Sequence, residues 1–477
     1  MIRGRNGRTV VLIVAIAFVA TACAWGQAGG NAARNGANPF EPGLTTNNVS
    51  GLALSWQADN ASHSDHEPVM NAKYVFTATG PGFVQAYAAG GPASAEGSTR
   101  CSGTPSVCTP VWFSRVTITA PLSSPVVNGD HLFVSAAVDG KWNLYALDAD
   151  PVDCPDTAFG CVPQWTGQWG APTRPQGQPS IAVAGGRVYL SAPTEIDGHT
   201  AVVAVFDELG LDHCTTGPPR TCAPLFEIEI PTAWSGSPVI SLAAGRLFVE
   251  SVDGIRVFDA AGQTGCSNGT CTPLYRLAAG AARGVSLYGT TAYAAGETTL
   301  MAFDATGATG CAGSPLVCQP KWTATLSGRA TLDLPTVSNG KVLVVESPGD
   351  APTDPGLEAF DASGQESCGG TPRVCSPLWK VTRGVMAGDV NHLAATPTLV
   401  IMSGWSVIPF NPPIIRQTLK TFDLAGTIGC SGTPKVCAAL SVTAMGTDIG
   451  ISSPAVAFGR IAVTDSPGHL KVFAVSG

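Results

Sequence analysis

The chain has 477 residues, a formal net charge of −8 and only 13% charged side chains. Its Lys and Arg never gather into a run, so no basic face exists to displace phosphate counterions, and a nucleic-acid partner is excluded. The 56 Gly and 37 Pro favour many short strands joined by tight turns over helices.

The N-terminus reads as an export signal. Arg3, Arg5 and Arg8 precede an apolar run from Thr9 to Ala22, which is too short to span a bilayer comfortably. Ala20-Thr21-Ala22 then supplies small residues before Cys23. Two readings stay open: plain cleavage, with Cys23 left free or removed, or a lipobox that lacks the usual Leu and has Cys23 acylated. The cysteine count favours the second. Of 15 cysteines all but Cys23 fall into close pairs. These are Cys101 with Cys108, Cys154 with Cys161, Cys214 with Cys222, Cys266 with Cys271, Cys311 with Cys318, Cys368 with Cys375, and Cys430 with Cys437. One left over is what a lipid-modified terminus leaves. The expected organisation is a signal peptide over 1–22, a lipid-anchored flexible tether and lead-in over 23–50, and one domain over 51–477. The tether expectation rests on the Gly, Ala and Asn of residues 26–38.

A unit of roughly 45 to 60 residues recurs along the rest of the chain, as in repeat architectures. It opens with a Pro-apolar strand, as in Ser124-Pro-Val-Val127 and Ser237-Pro-Val-Ile240. An alternating strand follows a polar residue, as in His131-Leu-Phe-Val134 and Arg246-Leu-Phe-Val249. The third strand ends on aromatic-Asp: Phe206-Asp207, Phe258-Asp259, Phe303-Asp304, Phe360-Asp361 and Phe422-Asp423. After the cysteine pair comes Pro-x-aromatic, ending on Trp112, Trp165, Phe226, Tyr275, Trp322 and Trp379.

Four strands per unit at this period predict propeller blades, with the closing aromatic filling the wedge between neighbours. The unit is complete seven times, and residues 451–474 supply three further strands whose missing fourth is offered by Leu54-Ser55-Trp56. The fold expected is all-β: an eight-bladed β-propeller of four-stranded antiparallel blades, closed by an N-terminal strand, with one intra-blade disulfide hairpin in seven blades. Seven blades is the rival count. In Asp259-Ala-Ala-Gly262 and its repeats, Asp is expected to cap the turn and Gly to take positive φ. Cysteines five to eight residues apart on a hairpin suit disulfides rather than zinc, and require an oxidising compartment.

The blade pattern in Ser124-Pro-Val-Val, Leu132-Phe-Val-Ser, Leu144-Tyr-Ala-Leu-Asp-Ala149 and Trp165 resembles the pyrroloquinoline-quinone-type (PQQ-like) propeller repeat. The lead-in from Gly43 to Trp56 is similar to the segment before the first blade of quinoprotein alcohol dehydrogenases. For the enzyme branch the resemblance implies a quinone held with calcium, an active-site aspartate and a disulfide between adjacent cysteines. Adjacent cysteines are absent here, and no Glu/Asn/Asp set matches, so no catalytic residue is carried over. Other relatives are non-enzymatic lipoprotein scaffolds of outer-membrane β-barrel assembly, to which cysteine hairpins are foreign.

Blade-to-blade loops should open on one face, with the cysteine hairpins on the other. The first such loop holds His63, Asp65, His66 and Glu67, imidazole and carboxylate that suit a transition metal or belong to a solvated entry loop. Other face-loop candidates are Arg174, Trp234, Arg283, Arg329, Asp333, Asp389, His392 and Asp448. The insertion around Ile408-Pro-Phe-Asn-Pro-Pro-Ile-Ile-Arg416 is a partner-binding edge or a loop packed on its own blade. No nucleophile elbow, Walker loop or zinc-protease motif is present. The expected protein is a monomeric bacterial cell-envelope lipoprotein without a cofactor, presenting one propeller face to a protein partner or small ligand. The alternative is a PQQ- and calcium-dependent dehydrogenase.

Overall fold

The computed structural model describes residues 23–475 except 60–65, 81, 118–121, 153, 155–159, 171–177, 194–199, 233–236, 268–269, 332, 348–354, 383–389, 409–413, 448–449 and 467. The expected signal segment, 1–22, lies outside the described residues. Each repeat unit folds as four antiparallel strands in chain order from the axis outward. The blades are 1 (69–115), 2 (126–169), 3 (180–231), 4 (240–277), 5 (286–325), 6 (336–382) and 7 (390–446). A closing sheet joins the two ends of the chain: Ala455–Ala457, Arg460–Thr464 and Leu470–Val475 pair in order, and Leu52–Ala58 is hydrogen-bonded to Leu470–Val475.

The expectation of an eight-bladed propeller with intra-blade disulfide hairpins is corrected in two respects. Seven blades, not eight, are built from consecutive strands with a disulfide each, and the remaining sheet is the composite closure. The seven bonds join the expected partners: Cys101–Cys108, Cys154–Cys161, Cys214–Cys222, Cys266–Cys271, Cys311–Cys318, Cys368–Cys375 and Cys430–Cys437.

The second correction concerns where these hairpins dock, which is on the neighbouring sheet and not within their own blade. Val107 of the Cys101–Cys108 hairpin pairs in parallel with Gln57 of the closing sheet. The Cys154–Cys161 hairpin of blade 2 meets blade 1, where Gly160 bridges Ser114 and the Cys161 N–H donates to Phe113 O. From blade 3 the Cys214–Cys222 hairpin lies parallel to the outer strand of blade 2, Arg220 opposite Trp165. Cys266–Cys271 of blade 4 forms its own two-stranded ribbon and packs in one cluster with Phe226 and Ile228 of blade 3. Parallel docking returns for Cys311–Cys318 on blade 4, Cys368–Cys375 on blade 5 and Cys430–Cys437 on blade 6. The physical reason is the outer strand's unpaired edge, which the neighbour's hairpin covers and so protects from stray pairing. Closing so short a loop contributes on the order of 2–3 kcal/mol per disulfide, and here it also stiffens a joint between sheets.

Sequence signals and packing meet in the closing aromatics. Trp379 is 1% exposed, and a Cβ built on Gly426 of the next blade would lie 2.1 Å from its Cδ1. Gly426 therefore answers two demands: φ of +65° and an indole against its α-carbon. Gly364 meets Trp322 and Gly210 meets Trp165 in the same way. The recurrent Asp caps the turn as expected. Asp304 accepts N–H bonds from Thr306 and Thr309 at 3.0 and 2.8 Å, and both their hydroxyls. Burial alone raises its pKa, but these donors outweigh burial and hold Asp304 down at about 2. Asp259, Asp361 and Asp423 are lowered likewise. A carboxylate depressed in the folded state stabilises above its unfolded pKa and loses that contribution as pH falls through the folded value. Asp304→Ala should thus lower stability at pH 7 and narrow that gap below about pH 4, measured by urea titration across pH; a gap independent of pH contradicts the capping role.

The N-terminal segment departs from its expectation as a free tether. It enters the channel and circles it once, meeting the inner strands in chain order. Trp25 exchanges both backbone hydrogen bonds with Met70 of blade 1. Val127 N–H donates to Gly26 O, and Gln27 bonds both backbone groups of Val183 through its side-chain amide. Leu242, Leu287, Val337 and Ala395 then donate to Ala32, Ala33, Asn35 and Gly36. Asn38 finishes the circuit on the carbonyls of Ala395 and Val456. Small residues allow this path: a Cβ on Gly36 would sit 2.5 Å from Thr336 Oγ1, and one on Gly26 2.6 Å from Val127 O. The composition that resembles a tether is what a narrow channel lined by backbone edges accommodates.

Candidate functional site

The two faces differ. The mouth on the hairpin face holds Cys23, whose thiol donates to Phe40 O at 3.0 Å and whose residue is 7% exposed. Burial, then the charge of Glu41, pushes this thiol's pKa up. A cavity of about 510 Å³ flanks the mouth, lined by Ala24, Gln27, Asn38, Phe40 and the turns at Lys73 and Asp130.

On the opposite face the segment's far turn meets residues singled out in the loops. Glu67 accepts the Gly29 N–H at 3.0 Å, and His392 Nδ1 lies 2.8 Å from Asp333 Oδ2. Burial lowers the His392 pKa, but the charge and hydrogen bond of Asp333, with Glu67 beyond, outweigh it and raise it. Arg34, at φ 49°, anchors the turn through Nε to Ile240 O and Nη2 to Ser180 Oγ and Ile181 O. Arg34, Glu67 and Asp333 line a remnant of channel of about 190 Å³. That is below the range of about 300–1,000 Å³ usual for ligand pockets.

The expected first-loop metal set is only partly described. His63 and Asp65 lie outside the described residues. His66 is buried with Nδ1 at 2.9 Å from Ala78 O, while Glu67 is taken by Gly29. Among the described residues no group of three or more His, Cys, Asp or Glu is placed to hold a metal. Arg174, Trp234, Asp389 and Asp448 also lie outside the described residues, as do 409–413 of the blade 7 insertion. That insertion's flanks are strand: the ladder of Leu399–Ile408 with Ile414–Asp423 runs on to Ile408 opposite Ile414.

Arg283 and Arg329 instead line a second cavity, about 460 Å³, between the loop-face ends of blades 4, 5 and 6. Glu250 and Glu297 line it too. Arg329 and Glu297 pair with each other at the exposed rim. Glu250 sits deeper at 7% exposure; burial pushes its pKa up to about 7 against the Val239 N–H and Arg283, which lower it. Sequence reading missed Glu250, although a lone carboxylate directly after the apolar Leu247-Phe248-Val249 run is a legible signal. It missed Arg34 because a single Arg in a Gly/Asn-rich stretch carries none.

Behind this cavity a second carboxyl pair is sealed between blades 5 and 6. Glu346 and Glu358 are 0% and 1% exposed, and Ser327 Oγ donates to Glu358 at 2.6 Å. Burial, then the nearby Glu358, raises Glu346 far above the carboxyl range, so Glu346 keeps its proton at neutral pH. A carboxyl raised in the folded state contributes stability that is full below its unfolded pKa and is lost as pH climbs toward the folded value. Glu346→Gln removes that loss. The variant should keep its Tm between about pH 5 and 8.5 better than the parent; a steeper fall than the parent's contradicts a buried, protonated Glu346.

No protein-family model matches the chain, and no curated protein matches it by sequence. Solved structures do. BamB from Moraxella catarrhalis superimposes with a TM-score of 0.53 at 14% identity, covering 89% of this chain and 99% of that one. A europium-containing methanol dehydrogenase gives 0.45 at 12% identity, over 96% and 99%. Likeness at these identities speaks to fold and not to activity. The fold shared with BamB is a β-propeller.

Proposed function

We propose that this is an exported, non-enzymatic binding or scaffold protein of the bacterial cell envelope, lipid-anchored through Cys23. The loop face is the one it offers to a protein or small ligand. The observation that carries this reading is the filled channel: the axis where all sheets converge is occupied by residues 25–38. The remnant beside Arg34 is smaller than a tricyclic quinone needs, and the donors there are engaged with one another or with the segment. The quinone and calcium of the alternative reading do not fit these residues. Export is supported by seven disulfides, which persist in oxidising compartments. Anchoring is supported by the position of Cys23 at the hairpin-face mouth, which turns the loop face away from the lipid. The test is titration of the oxidised protein with pyrroloquinoline quinone and calcium, read by absorbance and calorimetry. No saturable binding is expected, and stoichiometric binding overturns the proposal.

A further inference from the structure

We propose that the outer edge of blade 7 is a docking site for an extended, uncharged segment of a partner protein, which adds to the sheet as a parallel strand. The site lies on the rim of the ring and goes beyond the loop-face reading above. The seven cysteine hairpins cover the outer strands of the closing sheet and of blades 1 to 6. Blade 7 receives none, because the closing sheet enters its outer strand through the 3-10 turn Val49–Gly51 instead of a cysteine hairpin. Among the described residues no strand pairs with the outer edge of Ser441–Gly446. One side-chain contact reaches it, the Thr443 hydroxyl donating to Leu52 O at 3.4 Å. The covered edges show what such a strand accepts. Gln57, Arg276 and Thr323 donate their N–H to a hairpin at 2.9, 3.0 and 3.1 Å, and stand opposite Val107, Val317 and Val374. Val442 holds the same place in its ladder, opposite Lys420 as Thr323 is opposite Met301, so its N–H and C=O face outward. Its side chain differs in the direction a partner requires. The docking positions under hairpins are polar, Gln57, Arg276, Thr323 and Lys380, whereas Val442 is apolar and 60% exposed. The strand Ser441-Val-Thr-Ala-Met-Gly446 also lacks the charge or Pro that usually blunts an open edge. In strand addition the main-chain bonds supply affinity, and the residue facing Val442 supplies selectivity, favouring a β-branched side chain over a charged one. A second copy offers no parallel strand, since its own hairpins lie on its own edges.

The probe is the chain's own uncharged hairpin: an oxidised, fluorescein-labelled peptide of residues 309–320, titrated with the oxidised full chain and read by anisotropy. Each other outer edge already carries its hairpin, so one peptide per chain is expected to bind saturably. Val442→Lys should weaken binding at least tenfold without lowering Tm, while Val442→Thr, which keeps the branch, should stay within about twofold. A peptide carrying Val317→Lys should also bind at least tenfold more weakly. Absence of saturable binding, equal binding to Val442→Lys, or equal binding of the Val317→Lys peptide overturns the proposal. Sedimentation equilibrium of the chain alone should show a monomer. A dimer that Val442→Lys dissociates means that a second copy covers this edge, which overturns the proposal as well.

Discussion

A chain lacking residues 24–41 is expected to lose its cooperative thermal transition, and a synthetic peptide of residues 23–44 is expected to restore it. The segment accounts for eight backbone hydrogen bonds to inner strands, joined by those of Gln27, Arg34 and Asn38 side chains. At roughly 1 kcal/mol net per bond, their removal costs more than about 5 kcal/mol, comparable to the whole stability of many domains. Trp25, 1% exposed, adds apolar burial in the cluster shared with the closing sheet. Glu41 ties the exit of the segment to the Gly459 N–H at 3.0 Å. The expected readout is a circular-dichroism melt, with recovery that saturates as peptide is added. A truncated chain that melts within a few degrees of the parent contradicts the account.

Trp379→Ala is expected to destabilise the protein by about 3–5 kcal/mol, the usual cost of deleting a buried indole from a packed core. Its ring fills the wedge between blades 6 and 7, and its Nε1 donates to Leu424 O at 3.2 Å. Gly426→Ala should be costly in the parent, because its Cβ collides with that indole, and cheaper once Trp379 is gone. A double-mutant cycle by urea unfolding measures this coupling, and additive costs would falsify the contact. Val442→Ala, at a position 60% exposed, serves as the control and should stay within about 0.5 kcal/mol.

The strands were legible because each one repeats a local signal: Pro before the inner strand, aromatic-Asp at the end of the third, Pro-x-aromatic at the start of the fourth. Disulfide pairing was legible because the short hairpins leave one sensible partner for each cysteine. Where the hairpins dock was not legible, since pairing Val107 with Gln57 depends on which sheet edge is near, and no periodicity encodes that. The path of residues 23–44 was misread for a similar reason. Gly, Ala and Asn suit a tether in water and equally a segment threaded past backbone edges, and only the surrounding ring distinguishes them. Of the loop candidates, Glu67, Asp333 and His392 gather at one end of the channel, and Arg283 and Arg329 at one cavity. Their residue types drew notice, but Glu250, the group that gives the second cavity its chemistry, lies at a strand end that loop-based reading passes over.

Trypsin digestion of the native, oxidised protein tests the central claim most directly. Arg34 stands in a stretch that composition presents as a flexible linker, and trypsin cuts such a linker within minutes. With its guanidinium bonded to Ile240, Ser180 and Ile181 and its neighbours paired to blades 4, 5 and 6, the bond after Arg34 should survive until the protein unfolds globally. Rapid cleavage after Arg34 with the rest of the ring intact would mean that the channel is open and the segment is a tether after all.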